Sequence, residues 1–170
     1  MSKPANHLEV VNHLLGAKLH DGWEVVEKTK REVTDTGGCF SVSYVVRHGT
    51  GRIGFLKVLN LAKALAMPGD QLENVQNLIA AFKFERDTLD LCKEYNLNRV
   101  ASAIYHGKLD VDGNPFGVYY IIFEIAEDGD IRRKLAKAER VDIAWMLRNL
   151  HHTANGIRQM HSKQIAHQDL

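Results

Sequence analysis

In the stretch Gly54-Phe55-Leu56-Lys57-Val58-Leu59-Asn60 a lysine stands in a run that is otherwise apolar and strand-like. Strict alternation puts Phe55, Lys57 and Leu59 on one face and Leu56 and Val58 on the other, so both faces of the strand call for cover. An unpaired ammonium in such a place is expensive. Whatever packs on the Lys57 face therefore has to bring a carboxylate. From Gln71 to Tyr95 the period is helical, with Leu78, Phe82, Leu89 and Cys92 recurring three, four or seven residues apart. Glu85 falls three residues after Phe82 and four before Leu89, which places it on that inward stripe. The economical arrangement packs this helix on the strand so that Lys57 and Glu85 meet. Such a pair is costly as pure structure and useful where a lysine must be aimed at the phosphates of a ligand. In the alternative, Lys57 snorkels from an edge strand and Glu85 merely borders the apolar stripe.

The elements on either side follow an order. Residues 7–17 (HLEVVNHLLGA) predict a short amphipathic helix, with Leu8, Val11, Leu14 and Leu15 on one face and Gly16 near its end. Strands are expected over 23–29, 40–48 and 51–60, the last two joined as a hairpin by His48-Gly49-Thr50-Gly51. Strands return at 100–107 and 118–125 around the turn-rich LDVDGNPFG. Beyond Asp128-Gly129 the pattern is helical to about Ser162, with Ile143, Leu147, Leu150, Ala154 and Ile157 at alternating steps of four and three. Strands first and helices later is an α+β order, with a hinge near 124–129.

Composition excludes several classes of partner. At 170 residues and 45% hydrophobic, the chain has ordinary globular composition and length enough for a core. Twenty-two basic against twenty-one acidic residues leave a net charge of +1, which marks neither a nucleic-acid nor a membrane surface. No apolar run approaches the roughly 20 residues of a membrane helix, and the polar N-terminus lacks the look of a secretory signal. Cys39 and Cys92 belong to no CxxC pair, which fits a reducing cytoplasm better than a disulfide framework. His151, His152, His161 and His167 lie close together, but their spacings match no zinc motif, so surface or packing histidines are expected and no metal ligand is assigned.

Further motifs stand in sequence order around Lys57 and Glu85. Thr36-Gly37-Gly38-Cys39-Phe40-Ser41 joins two strands, and glycines at such a turn let backbone N–H groups approach phosphate oxygens. Tyr119-Tyr120-Ile121-Ile122-Phe123-Glu124 enters the hinge, where extended backbone can exchange hydrogen bonds with a planar base. The last helix then delivers His167-Gln168-Asp169-Leu170. Collinear in this way over about residues 20–170, the chain resembles the eukaryotic-like protein kinase family, from its start to the catalytic loop.

The resemblance implies an α+β chain with a five-stranded antiparallel small-lobe sheet, one main helix and the first helices of a mostly α large lobe. Its expected divisions are an N-terminal extension at 1–19, a small lobe at 20–124, a hinge at 125–129 and an incomplete large lobe at 130–170. It implies an ATP-dependent transfer of phosphate to a protein hydroxyl, with the serine/threonine class, the more frequent in the family, favoured. Gly37, Gly38 and Ser41 would lie over the phosphates, Lys57 would hold them, and Glu85 would position Lys57. The backbones of Glu124 and Ala126 would hold adenine, with Phe123 at the back of its pocket. Asp169 would orient the substrate hydroxyl, and His167 would support the loop.

Several positions depart from the family pattern. Thr36 and Ser41 stand where the first and third loop glycines are usual, and Ser43, beside Val42, falls where a valine usually packs on adenine. Gln168 replaces the arginine that normally pairs with a phosphorylated activation loop, which removes that mode of regulation from the expectation. The sequence stops at Leu170, before the asparagine and aspartate that bind magnesium in the family, so this chain by itself is expected to transfer little phosphate and to expose a helix face. Three readings follow: part of a protein kinase, a truncated pseudokinase that binds nucleotide or a partner, and an unrelated α+β binding domain. A small-molecule kinase of the same general fold is a further relative, although the helix around Glu85 and the hinge IAEDGD favour a protein substrate.

Overall fold

A computed structural model of the chain describes residues 9–29, 40–111, 114–125, 131–137 and 142–166. Alternating patterns fold as strands: β1 (Trp23–Lys28), β2 (Ser41–His48), β3 (Ile53–Leu59), β4 (Ala103–Val111) and β5 (Asn114–Glu124). They form an antiparallel sheet in the order β1-β2-β3-β5-β4. Between β3 and β4 lie a short helix α1 (Leu61–Leu65) and the long helix α2 (Gln71–Glu94), while α3 (Ile131–Lys137) and α4 (Ile143–His161) follow the sheet. The architecture is thus α+β with a five-stranded antiparallel sheet. Among the described residues no helix is long and apolar enough to cross a membrane.

The alternation of β3 sorts the core into two layers. Leu56 and Val58 face Tyr44, Val46, Tyr120 and Ile122, all buried, and this layer is closed by Val11, Leu14 and Leu19 from the N-terminal segment. The opposite face packs Leu59 and Ile121 with Val75 and Phe82 of α2 and with Ala103 of β4. A third cluster joins Cys92 and Leu97, at the end of α2, to Met160 and Ile165, at the end of α4. Tyr44 ties the first layer to the N-terminal segment, its hydroxyl donating to the Val11 carbonyl at 2.6 Å. Burial pushes the Tyr44 phenol above its ordinary pKa.

The N-terminal segment departs from the expected helix. Of residues 7–17 the described part makes one 3-10 turn, Glu9–Asn12. Its backbone groups are taken instead by β1: the Gly16 amide donates to Val25 at 2.8 Å, and the Val25 amide donates to Ala17 at 3.0 Å. Gly16 adopts φ +79°, which turns the chain toward that pairing. Val11 and Leu14 are buried as the apolar pattern implies, whereas Leu15 is exposed.

Strand ends also shift. The segment read as a turn over 109–117 is largely strand, with Leu109 to Val111 completing β4 and Asn114 to Gly117 opening β5. Leu109 and Val111 alternate inward against the first core layer, which extends the ladder past the glycine and proline signals. The β2–β3 hairpin closes as expected, its turn fastened by the Gly51 amide donating to His48 at 2.8 Å. Helix α1 has no counterpart in the expected pattern.

Both long helices begin at aspartate caps. Asp70 accepts from the Glu73 amide at 2.8 Å, and Asp142 accepts from the Ala144 and Trp145 amides. The apolar stripe of α4 faces outward: Ile143, Leu147 and Leu150 are exposed, and burial falls on Gly156 and Met160 instead. Gly156 is where α4 crosses the segment after α2, since a Cβ there would lie 2.9 Å from the Arg99 carbonyl oxygen. Gly156→Ala is a sharp test of this crossing. Helix propensity alone predicts a gain of about 1 kcal/mol. The blocked approach to a backbone oxygen predicts a loss of about 1–3 kcal/mol instead. Urea unfolding of the variant decides between the two, with Ala154→Leu on the exposed face as the neutral comparison.

Candidate functional site

Lys57 and Glu85 meet. Each carboxylate oxygen of Glu85 accepts from Lys57 Nζ, at 2.6 and 2.7 Å. The pair arises from two local patterns. β3 turns Lys57 toward the α2 face by strict alternation, in register with Ser43 of β2 and Ile121 of β5. α2 turns Glu85 toward the sheet because it follows Phe82, which is buried against Leu59 and Ile121. With side-chain exposures of 27% and 38%, the two groups are neither sealed in the core nor free at the surface. Water therefore lowers the cost of holding two charges there, and the ammonium stays within reach of a ligand.

Two apolar features lie on opposite sides of Lys57 along β3. On one side, Val45, Phe55 and Phe123 stand directly opposite one another on β2, β3 and β5. All three are half-buried, and Val45 and Phe55 belong to none of the three hydrophobic clusters. They make an apolar shelf across three strands, two residues or roughly 7 Å along the strand from Lys57. Its outer border is Glu124, whose side chain is paired with Arg52 at 3.1 Å and whose amide donates to the Ser102 carbonyl at 3.2 Å.

On the other side is a cavity of about 190 Å³ between the start of β2, the end of β3 and α2. Leu78, Ala81, Phe82 and Glu85 line it from one face of the helix, and Phe40, Ser41, Lys57 and Leu59 line it from the sheet. The Asn60 amide donates to the Phe40 carbonyl at 2.8 Å, which fixes the roof of the cavity to the end of β3.

The expected site residues divide accordingly. Lys57, Glu85 and Ser41 are brought around one cavity, while Phe123 and Glu124 sit at the shelf. Gly37, Gly38, Ala126, His167 and Asp169 lie outside the described residues. On the Lys57 face of β2 the register presents Ser43, followed by Val45, whereas Val42 packs into the opposite layer. Phe55, Val45 and Phe40 have no site role in the sequence pattern alone. Phe55 was legible as a neighbour of Lys57 on the same face; Val45 and Phe40 needed the pairing of β2 with β3. No group of three or more His, Cys, Asp or Glu side chains that could hold a metal ion occurs among the described residues. Comparison with protein-family models and with curated proteins finds no match to this chain.

Proposed function

We propose that the chain binds the phosphates of ATP at Lys57 and belongs to an ATP-dependent phosphotransferase of the protein-kinase type, acting on a protein hydroxyl. The observation that carries this reading is the Lys57–Glu85 pair, a half-exposed lysine held by both oxygens of one carboxylate between an apolar shelf and an open cavity. A core that needed only stability would be served as well by apolar residues at both positions. Support also comes from the fit of the parts. The shelf of Val45, Phe55 and Phe123 suits a planar base, and Lys57 lies one pleat repeat away, where the phosphates of a nucleotide stacked there would fall.

In this proposal Lys57 donates hydrogen bonds to phosphate oxygens, and Glu85 keeps the ammonium aimed while preventing it from folding onto the apolar wall. The backbone of Glu124, with that of Ala126, meets the base edge, and Gly37 and Gly38 approach the phosphates. Asp169 orients the acceptor hydroxyl, since phosphoryl transfer depends on alignment more than on a strong base. A divalent ion, when bound with the nucleotide, would neutralise charge on the phosphates; the described residues contribute no ligand set for it. A cytoplasmic setting and the serine/threonine class go with the same proposal.

The reading is tested by titrating adenosine and ADP into the protein in magnesium-free buffer, with heat as the readout. Charge-assisted hydrogen bonds to Lys57 predict that ADP binds about tenfold or more tightly than adenosine. Equal affinity for the two, or no binding of either, would remove the phosphate role from Lys57.

A further inference from the structure

The cavity beside α2 lies away from the nucleotide shelf, and its walls have a chemistry of their own. An apolar cavity of about 150 Å³ suffices for a benzene-sized ligand. At about 190 Å³, this one has room for a ring and one small polar substituent. Phe40, Leu78 and Phe82 supply apolar walls, while Lys57 and Glu85 stand side by side as the polar wall. An ammonium carries three N–H groups and a carboxylate about four acceptor sites. The two contacts between Lys57 and Glu85 use only part of this capacity, and both side chains line the cavity.

Charge decides which substituent suits that wall. A carboxylate entering here meets Glu85, and an ammonium meets Lys57, so either ion gains one attraction and one repulsion. A primary carboxamide presents a carbonyl acceptor and an N–H donor next to each other. Its carbonyl can accept from Lys57 while its amide nitrogen donates to Glu85, with no change in the net charge of the site. We propose that this cavity is a binding site for a small, neutral aromatic carboxamide, with the ring between Phe40, Leu78 and Phe82 and the amide across the Lys57–Glu85 pair. The site is separate from the shelf of Val45, Phe55 and Phe123 but shares Lys57 and Glu85 with the proposed phosphate site, so the amide and the phosphates are alternative occupants of Lys57, and the amide requires no nucleotide.

The test uses benzamide as the probe, with benzoate and benzylamine as charged counterparts of nearly the same size, titrated into the 170-residue chain without nucleotide. Methyl and aromatic resonances of Leu78, Ala81 and Phe82 are followed by NMR. The expected result is saturable shifts at these residues with a Kd on the order of 1 mM, as suits a nine-atom ligand. Benzamide should bind about fivefold or more tightly than either ion, because only it matches both wall groups. Leu78→Phe and Ala81→Phe both fill the cavity and should abolish the shifts; Ala81 is exposed, so its variant tests the cavity even if the Leu78 change disturbs folding. Non-saturating shifts, or benzamide binding that survives both fillings, would overturn the proposal. So would benzoate binding as tightly as benzamide, which would make the cavity an anion site.

Discussion

Leu56→Ala is expected to be among the most damaging single truncations in this chain, costing about 2–5 kcal/mol of stability. Leu56 is fully buried, and its cross-strand partners Tyr44 and Ile122 are buried to the same degree. It stands in the middle of the central strand, so both neighbouring strands lose contacts when its side chain is removed. The layer cannot collapse into the space easily, because ladder hydrogen bonds fix the backbones on either side. Against a typical total stability of about 5–15 kcal/mol, this loss is a large fraction. Thermal denaturation followed by circular dichroism should show the midpoint falling by roughly 5–15 °C. Val26→Ala on the exposed side of β1 should move it little, within about 0.5 kcal/mol. A Leu56→Ala midpoint equal to the parent's would mean that the two-layer core is wrongly drawn.

Lys57→Met should have the larger effect on nucleotide binding. Methionine keeps most of the length and the apolar stem, so the change removes the ammonium and little else. Loss of charge-assisted hydrogen bonds to phosphate, worth about 1.5–3 kcal/mol, predicts roughly 10- to 150-fold weaker ATP binding. Stability should change much less. Glu85 is 38% exposed and can be hydrated when its partner is gone, and a pair this open contributes only about 1 kcal/mol or less. In the proposed function Glu85 acts on the nucleotide through Lys57 alone, so the effect of Glu85→Ala should vanish in the Lys57→Met background. A double-mutant cycle measured by calorimetry checks this, with a coupling of about 0.5–3 kcal/mol expected for two residues acting as one unit. Additive losses would show Glu85 touching the ligand independently of the lysine.

The parts of this structure most legible in the sequence are those where one periodic pattern decides. Alternation in β3 separates Leu56 and Val58 from Phe55, Lys57 and Leu59, and the structure has this division. The three-and-four spacing of α2 places Glu85 next to Phe82 on the inward face, and the ion pair follows from those two facts. Where two partners compete for one segment, periodicity misleads. Residues 9–17 carry a helical apolar spacing, yet the Gly16 and Ala17 backbone groups bond to Val25 of β1. Only knowledge of β1 as a neighbour would have revealed this. Spacing also finds the apolar face of α4, and Ile143, Leu147 and Leu150 are exposed, which is in keeping with the exposed helix face expected from the sequence. The cavity and the approach of Gly156 to Arg99 depend on distances between elements far apart in the chain, which no local pattern encodes.

The central claim is that Lys57, held by Glu85, receives the phosphates of a nucleotide whose base lies on the shelf of β2, β3 and β5. Mapping backbone amide shifts on addition of ATP tests it most directly, because the readout is position as well as affinity. The account predicts saturable shifts concentrated at Ser41, Val45, Phe55, Lys57, Phe123 and Glu124, reduced about tenfold or more in affinity by Lys57→Met. Shifts centred on another surface, such as the outer edge of β4 or the exposed stripe of α4, or an unchanged affinity in the variant, would contradict it.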